Sequence, residues 1–276
     1  MRRRVGWPDV GHGRTGAHKT AQHYAIAQAV EDPPSAWTAD AYSLDFNGSD
    51  EYARGTITGG SPLQTFTTDA TLMVWHKTPA LGANDGLFCI HKGTSRRFQI
   101  HIDGNGTLRA NCKTDSATIT TNGSSGGYDD DDWHAFTLAF TGGNVERYID
   151  GVHDINTALA GQFNDSGNEM TTVTLAAAAN LGSKYTGGIA TAAAWKTALT
   201  TADTLAIAAK PTVDLLDDAS YDSANMAQHL IYWCRCGDGT EAASGTTYYD
   251  MSGVATVTDL TGTNLDDTNY QLEAPA

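Results

Sequence analysis

Trp133-His134-Ala135-Phe136-Thr137-Leu138-Ala139-Phe140 runs through Gly142-Gly143-Asn144 into Val145-Glu146-Arg147-Tyr148-Ile149, and Asp150-Gly151 closes the stretch. The first eight residues are too apolar on both sides for a surface strand and too short for a core helix, so they read as a strand inside a sandwich. The next five alternate, with Val145, Arg147 and Ile149 on one side. Asp150-Gly151 is a two-residue hairpin turn. Outward from here the period of two persists. Phe98, Ile100 and Ile102 alternate with Arg97, Gln99 and His101, Asp103-Gly104-Asn105-Gly106 turns the chain, and Thr107 to Cys112 returns. As a metal loop that Asp-x-Asn pattern is too short and has no distal Glu, so a hairpin is expected. Thr71 to Lys77, Thr172 to Ala176 and Ile189 to Lys196 add strands. Many short strands between Gly, Asn and Asp turns predict an all-β, antiparallel two-sheet sandwich. One short surface helix is expected after Leu199. Thr200 and Asp203 have capping-box spacing, Ala202, Leu205, Ala206 and Ala209 form an apolar stripe, and Pro211 stops it.

The 276 residues carry 29 Gly and only 18 % charged side chains, which suits one large β domain and excludes a coiled coil. No run approaches the roughly 18 apolar residues of a membrane-spanning helix, and Met1-Arg2-Arg3-Arg4 has no apolar stretch behind it, so no membrane contact and no secretory leader are expected. The net charge of −15 weighs against a nucleic-acid partner. The charge is uneven, however. Arg2, Arg3, Arg4, Arg14 and Lys19 face Asp9, Glu31 and Asp32 within residues 1–38, leaving the remainder at −17. Residues 1–39 therefore read as an extended N-terminal arm, 40–265 as the β domain and 266–276 as a C-terminal tail. Trp7 and Trp37 are large apolar groups in that otherwise polar arm. Either they pack on their own domain or they dock, with Arg2, Arg3 and Arg4, on another subunit. Cys89, Cys112, Cys234 and Cys236 are too few for a disulfide scaffold, and Cys234 with Cys236 lacks the second ligand pair of a metal site, so buried free thiols are expected.

Three stretches in order resemble the laminin G-like branch of the concanavalin A-like jelly rolls: Ser43 to Tyr52, Trp133-His134 through Tyr148-Ile149-Asp150-Gly151-Val152, and Leu181-Gly182 with Gly187-Gly188-Ile189 leading into Leu199 to Asp203. A fourth, Gln228 to Gly239 followed by Tyr248-Tyr249-Asp250-Met251-Ser252-Gly253, is similar to a tail found after such domains in tailed-bacteriophage structural proteins. On that resemblance residues 226–265 complete the sandwich. The implied role is a virion decoration or accessory subunit on the capsid or tail, made in the host cytoplasm and partnered by other virion subunits. A lectin-like, receptor-binding tail component or adhesin that contacts host surface glycans is the alternative.

The same superfamily contains glycosidases, which need paired carboxylates as E-x-D-x-x-E on one strand face. Glu31, Glu51, Glu146, Glu169, Glu241 and Glu273 include no two within six residues, so no catalysis is expected. No G-x-S-x-G elbow or phosphate loop occurs either. The resemblance makes His134 a packing residue. It also makes Asp129, Asp130 and Asp132, in the run Asp129 to Asp132, candidate Ca²⁺ ligands at the sandwich rim, although four adjacent carboxylates cannot all face one ion and a solvated loop is the competing reading. No other cofactor is expected. A sugar site wants an aromatic platform beside polar groups, and Tyr128, Tyr185 and Trp195 are the candidates.

Overall fold

The structure, a computed structural model, describes residues 43–65, 69–79, 84–163, 167–209, 215–216, 226–236, 247–248, 252, 257, 260–265 and 269–271. The arm, with Arg2, Arg3, Arg4, Trp7 and Trp37, lies outside the described residues. Among the described residues two antiparallel sheets of eight strands each carry the fold, as the alternation predicts. The first contains β1 (Ser43–Asn47), β3 (Asp69–Lys77), β8 (Trp133–Thr141), β9 (Asn144–Ile149), β10 (Val152–Ala158), β12 (Thr186–Trp195), β13 (Leu230–Arg235) and β16 (Tyr270–Gln271). Their order is β10-β9-β8-β3-β12-β1-β16. β1 covers Thr186 to Ile189 of β12, and β13 covers Thr191 to Trp195. The second contains β2 (Tyr52–Thr56), β4 (Asp85–Lys92), β5 (Arg96–Ile102), β6 (Leu108–Lys113), β7 (Thr118–Asn122), β11 (Thr172–Leu175), β14 (Thr247–Tyr248) and β15 (Leu260–Thr263). It runs β14-β15-β2-β11-β4-β5-β6-β7. Residues after 226 thus add strands to both sheets. Tyr270 and Gln271, read from the sequence as part of a tail, pair with Leu44 and Ser43.

Period two places Phe98, Ile100, Ile102, Leu108 and Ala110 of one sheet against Leu72, Val74, Phe136, Leu138 and Phe140 of the other, and these side chains form the main core. The apolar character of β8 on both faces has a different origin from a second sheet. Met73, Trp75, Ala135, Ala193, Trp195 and Trp233 project from the outer side of the first sheet into a separate cluster with Leu199 and Ile207. Ile207 belongs to the helix α2 (Thr201–Ala208); α1 is the single turn Pro62–Thr65.

The capping box of α2 forms as the spacing predicts, with Thr200 accepting from the Asp203 backbone and Asp203 accepting from that of Thr200. The expected apolar stripe is not the buried face. Asp203, Thr204 and Ile207 are buried, while Leu205 is 50 % exposed. The Asp150-Gly151 turn explains the rotation. Both residues have positive φ, 52° and 76°, as a hairpin turn of this kind requires. A Cβ on Gly151 would fall on the backbone of Leu205, so the turn itself occupies the space beneath that residue. All four cysteines are buried and free, with the Cys234 and Cys236 sulfurs 3.8 Å apart.

Candidate functional site

On the second sheet the core takes one member of each alternating pair, and the other member faces outward. Along β5 these are Arg97, Gln99 and His101, and along β6 they are Arg109, Asn111 and Lys113. β4 supplies Cys89 and His91, β11 supplies Thr172 and Thr174, and β2 supplies Arg54. Register brings them side by side. Arg54 pairs with Thr174, Thr174 with Cys89, Cys89 with Gln99, and His101 with Arg109. The result is a polar surface laid across five consecutive strands.

Its floor is closed to water, with Gln99 only 1 % exposed, His91 0 % and His101 5 %. His91 Nε2 is bonded to the Thr174 hydroxyl at 3.0 Å. Gln99 Nε2, Arg109 Nε and both ring nitrogens of His101 have no hydrogen-bond partner among the described residues. A buried polar atom without a partner costs about 1–3 kcal/mol, so this floor is a polar layer held under the longer side chains of the same face. Burial, with Arg109 and Arg97 alongside, holds His101 down at about 3, and burial with Arg54 holds His91 at about 4. Both imidazoles are neutral at physiological pH. The guanidiniums therefore lie near the floor: Arg97 is fixed by Nε donating to Asn111 Oδ1 at 2.7 Å, whereas Arg54 and Arg109 have no hydrogen-bond or ion-pair partner among the described residues. Chemically the face offers planar donor forks, amides that both donate and accept, and little apolar area.

At the sandwich rim a second constellation surrounds His134. Asp150 lies 2.8 Å from Nδ1 and Asp130 3.2 Å from Nε2, and the edge of Tyr128 meets the ring at 4.9 Å. Burial alone lowers the affinity of His134 for its proton, but the bonds and charges of Asp150 and Asp130 more than offset it and raise its pKa. The sequence reading of His134 as a packing residue omitted these two carboxylates. Asp150 also accepts from the Ala135 backbone at 2.8 Å, so it serves as a clamp on the hairpin as well.

The aspartate run fans apart. Asp130 turns to His134 and caps the Asp132 backbone, Asp131 approaches Lys77, and Asp129 packs against Gly106. Among the described residues no three His, Cys, Asp or Glu side chains are grouped to hold a metal ion, Asp129, Asp130 and Asp132 included. The three aromatic candidates do not come together. Tyr185 is fully buried, donating to the Lys77 carbonyl at 2.8 Å, and Trp195 is fully buried in the outer cluster under α2. Neither ring presents a face to a sugar, because both fill core space; Tyr128 alone reaches the surface, at the rim.

A family model described as the concanavalin A-like lectin/glucanases superfamily matches residues 47–204, more than half of the chain. The chain belongs to this superfamily. Solved structures with the same concanavalin A-like fold include a putative carbohydrate binding protein from Bacteroides ovatus, at 14 % identity and a TM-score of 0.59, covering 87 % of this chain and 62 % of that one. A heptameric SAP-like pentraxin from Limulus polyphemus is similar at 15 % identity and a TM-score of 0.47, covering 62 % of this chain and 82 % of that one. The carbohydrate-binding module of a Ruminococcus gnavus sialidase is similar at 13 % identity and 0.48, covering 62 % and 100 %. No curated protein matches significantly. At these identities the likeness is one of fold. The six Glu of this chain include no paired-carboxylate motif of the kind used by the glucanase branch.

The outward face of the second sheet was missed by the search for aromatic platforms. Its signal stood in the alternation itself, since Arg97-x-Gln99-x-His101 and Arg109-x-Asn111-x-Lys113 are polar on every second position.

Proposed function

We propose that the protein is a lectin-like carbohydrate-binding domain whose ligand lies on the outward face of the second sheet. The observation that carries this reading is the outward row of Arg97, Arg109, Asn111 and Lys113, partly exposed donors and acceptors on two adjacent strands beside the buried polar floor of Gln99, His91 and His101. Sugar hydroxyls are the complement of such a set, because each both donates and accepts. The lectin-type fold and the likeness to the Bacteroides ovatus carbohydrate binding protein support it. A glycan array probed with the full chain is expected to give discrete hits, and Gln99→Ala combined with Asn111→Ala is expected to weaken them at least tenfold. An array without hits would overturn the reading.

A second reading concerns where the domain works. The charge asymmetry of residues 1–38 and the phage-like stretches Gln228 to Gly239 and Tyr248 to Gly253 support attachment to a virion, with Trp7 and Trp37 as apolar anchors and Arg2, Arg3 and Arg4 facing an acidic subunit. A chain starting at Asp40 is expected to fold but to fail to decorate particles. Normal decoration would remove the arm from this role. Burial of a Trp contributes more than an exposed Arg contact, so Trp7→Ala should weaken attachment at every ionic strength and the triple Arg→Ala change mainly at low salt.

A further inference from the structure

We propose that the ligand of the second sheet's outward face is an anionic oligosaccharide, its acid groups met by Arg97 and Arg109 while Arg54 meets a more distant unit. This rests on the carbohydrate-binding reading and adds the ligand's charge and size. The eight strands of this sheet contain Arg54, Lys92, Arg96, Arg97, Arg109 and Lys113 but one carboxylate, Asp85. Asp85 lies at the Thr186 backbone and near Tyr185, whose ring is in the core. Asp103, which follows β5 on the outward side, is buried and taken up by the Asn105 and Thr107 backbone and by Asn122, so the cations Arg54, Arg97, Arg109 and Lys113 still outnumber the carboxylates of this face. On a chain with a net charge of −15 this is a local inversion of sign.

Like charges gathered over a dry floor repel one another, and an anion between them removes that cost. Arg97 is oriented by Asn111 and by the Thr94 carbonyl, which fixes its fork before any ligand arrives. Arg109, on the neighbouring strand, is partly exposed and its buried Nε has no partner among the described residues. A planar guanidinium with two parallel donors is matched to a carboxylate or sulfate group and poorly matched to a neutral hydroxyl. His101, opposite Arg109 on the neighbouring strand, is neutral and adds no charge to this face. Arg54 stands three strands from Arg97, roughly 14 Å at ordinary strand spacing, so only a ligand of several sugar units touches both.

The test measures binding of the full chain to polygalacturonate, dextran sulfate, neutral galactan, neutral dextran and polyphosphate by calorimetry. Polygalacturonate or dextran sulfate is expected to bind at least tenfold more tightly than either neutral polymer, and the stronger of the two identifies the acid group. Raising the salt from 50 to 500 mM should weaken that binding by about tenfold or more. Arg109→Met and Arg97→Met should each cost roughly ten- to hundredfold, as expected for losing a charge-assisted contact. Arg109→Lys should recover only part of it. Arg54 is exposed, so Arg54→Met provides a folded variant whatever the others do; it should weaken binding to long chains more than to a disaccharide. Equal binding of neutral and acidic polymers, or Arg-independent binding, would overturn this inference while leaving the carbohydrate reading intact. Equal binding of polyphosphate would overturn the saccharide assignment. Failure to bind any saccharide would remove both.

Discussion

Between pH 7 and pH 5 the domain is expected to lose a net of about 4–5 kcal/mol of folding stability, the loss coming from three buried histidines. His76, His91 and His101 are held neutral at about 3, 4 and 3, in each case chiefly by burial. Their surroundings are explicit. His76 faces His134, whose charge lowers it further, and Asp130, which raises it slightly. His91 faces Arg54, and His101 faces Arg109 and Arg97. Unfolding restores an ordinary value near 6.5, so below that pH the unfolded chain binds protons that the folded chain refuses. Stability therefore falls as pH drops, by about 2 kcal/mol per histidine at pH 5.

Two groups act in the opposite sense. Burial raises Asp85 to about 6, so the folded state takes up that proton first and acidification returns about 1 kcal/mol. His134 is raised, and its contribution is complete below its unfolded pKa and lost as pH rises through the folded one. Urea unfolding at pH 7, 6 and 5 measures the sum. His101→Gln should flatten the slope by about a third. Equal stability at pH 7 and pH 5 would show that these rings accept protons without unfolding.

The second large effect is expected at Arg147. This arginine is fully buried in β9 between Val145 and Ile149, on the face turned to the core. Its guanidinium donates to the Thr157 hydroxyl at 2.9 Å, to the Thr121 carbonyl at 3.2 Å and to the Thr121 hydroxyl. Thr121 belongs to β7, the edge of the other sheet, so one side chain joins the two sheets where their edges approach. Arg147→Ala removes the link and leaves a cavity of nearly the whole side chain. A loss of about 3–4 kcal/mol is expected, or a Tm lower by roughly 10 °C. Arg147→Met keeps most of the volume and removes a charge whose Nε has no partner, so it should cost less than half as much. An alanine variant within about 1 kcal/mol of the natural protein would mean that the sheet edges are held by apolar contacts alone.

What the sequence determined by itself is local. Asp103 to Gly106 and Asp150-Gly151 are turns because their backbones need positive φ at Gly106, Asp150 and Gly151, which such residues supply at low cost. The Thr200–Asp203 box starts a helix because two side chains three residues apart satisfy its free backbone groups. Period two separates Phe98, Ile100 and Ile102 from Arg97, Gln99 and His101, and repeated along the chain it specifies a two-sheet sandwich.

Tertiary structure decided which side of each strand is covered, and by what. Alternation is symmetric between the two faces, so it could not say that Trp195 lies beneath a helix, that Tyr185 fills the core, or that Leu205 is turned outward by the backbone of a distant hairpin. The candidate site is more non-local still. Arg54, Arg97 and Arg109 share a surface only because β11, from residues 172–175, inserts between β2 and β4. Strand order of that kind is set by the summed burial of the whole core, which no short window of sequence contains.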